Sequence, residues 1–182
     1  MSTLTIPVGE RDHAQGPADA PVTLVEYGDY ECPYCGMAYP IVKHVQAHFG
    51  DRLRFVFRNF PLGDLHPHAQ HAAEAAEAAA AQGKFWEMHV RIFEHQKRLD
   101  DAHLREYAAA EGLDADRFAV DLGGHSFAER VREDFMSGVR SGVNGTPTFF
   151  VNGRRHDGPW NADDLVAAIE RALRDPQPAA SG

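Results

Sequence analysis

Val22-Thr23-Leu24-Val25-Glu26-Tyr27-Gly28-Asp29-Tyr30-Glu31-Cys32-Pro33-Tyr34-Cys35-Gly36 is the stretch that decides the fold. Its first six residues are a compact β-branched and apolar run, the pattern of a buried strand. Gly28 to Glu31 breaks that run. From Pro33 onward Met37, Ile41, Val42, Val45 and Phe49 recur at helical spacing, with Pro33 suited to a first turn. Pro40 lies inside this helix and predicts a kink, and Gly50 closes it. Leu53-Arg54-Phe55-Val56-Phe57-Arg58 is a second strand, ended by Asn59-Phe60-Pro61. Strand, helix and strand with short connections predict a parallel, right-handed βαβ unit.

Downstream, from about His66 to Arg140, the pattern is helical throughout. Ala72 to Ala81 is dense in Ala and Glu, and Phe85 to Phe93 carries an amphipathic stripe. Asp101–Glu111, Asp114–Leu122 and Ser126–Gly138 read as three more helices. An extended run from Val143 to Val151 follows, and Asn152-Gly153 predicts a type I′ hairpin into Arg154-Arg155. Asn161 then caps an amphipathic helix bearing Leu165, Val166, Ile169 and Leu173. Upstream, residues 1–20 are an extension whose apolar patch, Leu4 to Val8, reads as an edge strand interrupted by Pro7. The expected order is β-α-β (21–61), an all-helical insertion (62–141) and β-β-α (142–175), with a disordered tail at 176–182. The fold class is α/β.

Composition narrows the function. Of 182 residues, 43% are hydrophobic and 25% charged, which excludes wholesale disorder. Two cysteines exclude a disulfide scaffold. A net charge of −9, with 18 scattered Lys and Arg, argues against nucleic-acid binding. No stretch approaches the roughly 20 apolar residues of a membrane span. The first ten residues carry neither a basic nor an apolar leader pattern, and the expected location is cytoplasmic.

The only two cysteines form one C-x-x-C, Cys32-Pro33-Tyr34-Cys35, after a strand and at the start of a helix. There, unpaired backbone N–H groups and the helix dipole favour a thiolate, and cysteine pKa values fall to roughly 3.5–7.5. Cys32 is the expected attacking thiol. Cys35, one turn deeper, can close an intramolecular disulfide and resolve mixed disulfides. A structural zinc site would need two further ligands. His66, His68 and His71 cluster in sequence and could supply them, but the strand-then-helix context points to redox chemistry, and no metal is assigned.

The segment from Glu26 to Gly36 resembles the active site of DsbA-like thiol–disulfide oxidoreductases of the thioredoxin superfamily. Gly145-Thr146-Pro147-Thr148-Phe149-Phe150-Val151-Asn152-Gly153 is similar to that family's cis-proline loop, and the helical block matches its inserted domain in position and size. The resemblance covers roughly residues 20 to 175 and implies a thioredoxin fold. It implies a cis peptide between Thr146 and Pro147, opposite the cysteines, aiming the Thr146 backbone at an extended substrate. It also implies that Glu26, six residues before Cys32, is a buried acid relaying the proton of Cys35. Protein or peptide thiols and disulfides are the expected partners, with a redox partner the sequence does not identify. No cofactor is required, because the electrons reside on the cysteines.

The dipeptide Pro33-Tyr34 departs from the family's oxidases, which commonly carry His at the second position. A milder potential is expected, together with reductase, isomerase or exchange activity. Because glutaredoxins share this dipeptide, a glutathione-dependent reductase is the first rival, with glutathione as co-substrate. A non-catalytic peptide-binding or chaperone module is the second. Tyr27, Tyr30 and Tyr34 are expected to form part of an apolar substrate face. His66, His68, His71, His89, His95, His103 and His125 read as surface histidines, and Phe85 and Trp86 as core. The oligomeric state is left open.

Overall fold

The computed structural model describes residues 2–175; the expected disordered tail lies outside them. Five strands form one sheet: β1 (His13–Gln15), β2 (Val22–Gly28), β3 (Leu53–Asn59), β4 (Thr148–Val151) and β5 (Arg154–Arg155), in the order β1-β3-β2-β4-β5. The central pair β2 and β3 is parallel over seven residue pairs, and every other pairing is antiparallel. Between them runs helix α1 (Pro33–Phe49). The inserted helices are α2 (Ala69–Ala80), α3 (Phe85–Glu94), α4 (Asp101–Ala110), α5 (Ala115–Gly123) and α6 (Ala128–Arg140), and α7 (Ala162–Arg174) closes the chain. This is the mixed sheet of a thioredoxin fold with a helical insertion.

Strand period explains the two cores. Leu24, Phe55 and Phe57 point to one face, where they meet Ala38, Val42 and Val45 of α1 and Leu165 and Ile169 of α7. Val25, Tyr27, Val56 and Phe150 point to the other, with Phe60 and Val143. Because β2 is covered on both sides, all but one of its residues are buried, and it reads as a continuous apolar run. Glu26 is the exception in chemistry, a carboxylate on the α1 side of a central strand. In α2, Ala72, Ala75, Ala76, Ala78 and Ala79 are buried, and these small side chains let α3, α5 and α6 approach closely.

Three local expectations change. The edge strand forms at His13–Gln15 rather than Leu4–Val8. The Ile6 and Pro7 carbonyls instead accept from the Arg58 guanidinium, at 3.0 and 3.2 Å, so they are spent on a side chain. The strand expected from Val143 begins only at Thr148, because Pro147 brings no N–H to a ladder. Helix α1 continues as one element through Pro40, which is exposed. The hairpin is as read: Asn152 and Gly153 both have positive φ, 47° and 77°.

Candidate active site

Cys32 occupies the N-cap of α1 with extended backbone, φ −66° and ψ 123°, and Pro33 follows in the first turn. Both cysteines are free thiols, Cys35 fully buried and Cys32 3% exposed. The Cys32 thiol is lowered to about 5, chiefly by a hydrogen bond from Cys35. Burial opposes this, while the backbone N–H groups of Cys35 and Tyr34 support it. Cys35 is pushed well above the usual thiol range, first by burial and then because its proton is held in the bond to Cys32. One sulfur is thus an anion at neutral pH and the other a proton donor to it.

Across from α1 the Thr146–Pro147 peptide is cis. The Thr146 carbonyl lies 3.6 Å from the Cys32 sulfur, accepting its S–H in the thiol form. The Thr146 side chain also helps to lower the Cys32 thiol. Glu26 is 3% exposed, and its Oε1 has no hydrogen-bond partner. Burial raises this acid to about 8, with the Cys32 charge adding to the effect. It borders a cavity of about 560 Å³ lined by Tyr39, Val42, Phe55, Trp86 and His89 among others.

Three further residues shape the site, and the sequence reading did not assign them to it. Asp29 is 1% exposed. Its Oδ1 accepts from the backbone N–H of Glu31 (2.8 Å) and of Cys32 (3.1 Å). Its Oδ2 accepts from the N–H of Leu62 (2.9 Å) and meets His66 Nδ1 at 2.8 Å. The Asp29 N–H itself points at the Cys35 sulfur, 3.4 Å away. Burial opposes protonation of His66, but the hydrogen bond to Asp29 and the nearby charges of Asp29, Cys32 and Glu31 prevail and raise its pKa. Gln96, just after α3, donates to the carbonyls of Tyr30 and Cys32, both at 2.9 Å. Gly36 makes room for that amide: a Cβ there would lie 2.0 Å from Gln96 Oε1. Only the Asp-x-x-Cys spacing, which resembles an N-capping pattern, could have flagged Asp29.

Two expectations about aromatic and histidine residues fail. Tyr30 is 1% exposed and therefore not a substrate contact; its hydroxyl pairs with His89 Nδ1 at 2.9 Å. Tyr27 is likewise buried, hydrogen-bonded to Ser137 and Arg58 on the opposite sheet face. Tyr34, at 61% exposed, remains at the surface beside Met37 at 59%. His89 is a core residue, lowered to about 3 by burial and by neighbouring His13. The His66, His68 and His71 trio does not converge: His66 joins Asp29, the His68 N–H binds Glu31, and His71 pairs with Asp101.

A dithiol at the start of the first helix, across from the Thr146–Pro147 peptide, is placed there by a sheet of thioredoxin type. The chain belongs to the thioredoxin family, matching the family model described as Thioredoxin over residues 9–171. It resembles BdbD from Bacillus subtilis, with a TM-score of 0.86 and 26% identity over 95% of this chain and 98% of that one. A thioredoxin-like oxidoreductase from Silicibacter pomeroyi matches with a TM-score of 0.80 and 27% identity, covering 91% of this chain and 94% of that one. Wolbachia pipientis alpha-DsbA1, at 20% identity and a TM-score of 0.80 over 95% of this chain and 96% of that one, shares the fold.

Among curated relatives, the Na(+)/H(+) antiporter NhaA 1 of Mycobacterium sp. (strain KMS) is 50% identical over 171 residues, 92% of this chain and 28% of the relative. NhaA 3 of Salinispora tropica is 52% identical over 93% of this chain and 26% of its own length. The chain spans about a quarter of the length of the curated relatives it matches.

Proposed function

We propose that this chain is a protein thiol–disulfide oxidoreductase working through a mixed disulfide at Cys32. The observation that carries the reading is the asymmetry of the pair: a Cys32 thiol lowered to about 5 beside a buried Cys35 that donates to it. In the reducing direction the Cys32 thiolate attacks a substrate disulfide. A Cys32–substrate S–S bond forms, the substrate bond breaks, and one substrate thiolate leaves and takes up a proton. Forming that bond removes the Cys32 charge, one of the two influences holding Glu26 up at about 8. Glu26 then gives up its proton more readily and, as carboxylate, accepts the proton of Cys35. The Cys35 thiolate attacks the Cys32 sulfur, the Cys32–substrate bond breaks, and the second substrate sulfur leaves as a thiolate that takes up a proton from solvent. The substrate gains two electrons, and the enzyme ends as the Cys32–Cys35 disulfide. Run backwards, the same steps oxidise a substrate dithiol.

Supporting the protein-substrate reading, the Thr146 backbone beside Cys32 offers an edge for an extended segment, and Tyr34 and Met37 are exposed side chains in the first turns of α1 that follow Cys32. The antiporter names belong to much longer proteins. Among the described residues no helix is long and apolar enough to cross a membrane. Equilibration in glutathione or dithiothreitol redox buffers, with free thiols trapped by alkylation, tests the proposal and assigns direction. A potential near about −270 mV marks a reductant suited to a reducing compartment, and one near about −120 mV a donor of oxidising equivalents. Absence of a reversible two-electron couple overturns the reading.

A further inference from the structure

On the helical insertion, His71 and Glu74 stand one turn apart on the same face of α2, an H-x-x-E spacing that brings i and i+3 side chains together. The connection between α5 and α6 brings His125 onto that face. A ligand atom from each of the three lies within 4.8 Å of the other two. The two imidazoles are 4.9 Å apart between centroids. Glu74 is almost wholly covered, with 2% of its side chain accessible, whereas His125 is about half exposed, so the cluster opens to solvent on one side.

Two of the three donors are also held from behind by a group outside the trio. Asp101 binds His71 Nδ1 at 2.7 Å, which fixes the ring and leaves Nε2 for another partner. The Gln70 amide donates to Glu74 Oε2 at 3.1 Å, leaving Oε1 to face His125 Nδ1 at 3.0 Å. His125 takes φ 54°, a conformation uncommon outside glycine and most often seen in Asn, Asp or His. A tetrahedral ion with bonds of about 2.0 Å separates its donors by about 3.3 Å, close to the spacing the Glu74–His125 pair already has.

We propose that His71, Glu74 and His125 form a binding site for a borderline divalent transition-metal ion, best represented by Zn²⁺, with a fourth position left to water. Two nitrogens and one carboxylate oxygen are a donor set that zinc accepts, and Asp101 behind His71 is the outer partner such histidines use. The ion ties α2 to the α5–α6 connection and stabilises the insertion. None of this depends on the dithiol chemistry.

The test is a Zn²⁺ titration of the oxidised protein, in which Cys32 and Cys35 are tied up in their disulfide and cannot ligate, read by competition with a chromophoric chelator. One ion per chain is expected, together with a zinc-dependent rise in Tm that EDTA reverses. His125→Asn keeps a residue that accepts positive φ while removing the imidazole; His71→Gln keeps the helix. With circular dichroism unchanged, each should lose both the binding and the Tm shift. Asp101→Asn should weaken binding by roughly 10- to 100-fold. No bound zinc, or binding that both histidine variants retain, overturns the proposal.

Discussion

Replacing Glu26 with Gln separates the electrostatics of the buried acid from its shape. Burial raises Glu26 from an ordinary 4.5 to about 8, so between these values the folded chain holds a proton that the unfolded chain has released. Each pH unit in that window costs the folded state about 1.4 kcal/mol, and stability falls as pH rises. By pH 7 the deficit is about 3 kcal/mol, and Gln, an isostere of the protonated acid, does not incur it. The assay is urea denaturation of oxidised wild type and Glu26→Gln from pH 5 to 9, oxidation removing the thiol titrations. Burial, the larger cause of the raised value, persists in that form. The stability difference should widen in favour of the variant from pH 5 and level off no higher than about 8, since the Cys32 charge that adds to the raised value is absent from the disulfide. A difference that stays constant from pH 5 to 8 would refute the claim that Glu26 is buried as an acid.

Alkylation of reduced wild type by iodoacetamide should be half-maximal near pH 5, and Cys35→Ala should shift the midpoint upward because the largest cause of the lowered value is lost. A wild-type midpoint near the ordinary 9 would contradict the thiolate assignment. Asp29→Ala strips acceptors from three backbone N–H groups and a partner from His66, and chemical denaturation should show a loss of about 3 kcal/mol. Gly36→Ala must displace the flexible end of Gln96, costing about 1–2 kcal/mol. Gln96→Ala should cost a similar amount, and the double variant little more than either; additive losses would show that the two do not share one contact.

The order of elements was legible because each segment carries a clean period: β-branched runs at Val22–Tyr27 and Leu53–Arg58, Asn-Gly at 152–153, and Asn161 as a cap accepting from the Asp164 N–H at 3.0 Å. Cys32 and Cys35 were legible for the same reason, since strand, break and helix place them without tertiary information. Side-chain direction in the break itself was not. Tyr30 resembles a substrate contact in sequence, yet it turns inward because Phe57, Phe93 and His89 offer it an aromatic pocket with a hydrogen-bond partner. Asp29 and Gln96 act through chain segments 33 to 66 residues away, and no local pattern encodes such pairing. The N-terminal extension was misread because Arg58, on a strand some fifty residues on, captures its carbonyls.

The proposed chemistry stands on Cys32 attacking and Cys35 resolving. The most direct measurement is intact-mass analysis after mixing reduced Cys35→Ser and Cys32→Ser variants separately with a disulfide-bonded peptide. A stable peptide adduct is expected on Cys32 in Cys35→Ser, with little or none in Cys32→Ser and only a transient one in wild type. Equal adducts on both variants, or an adduct confined to Cys35, would contradict it.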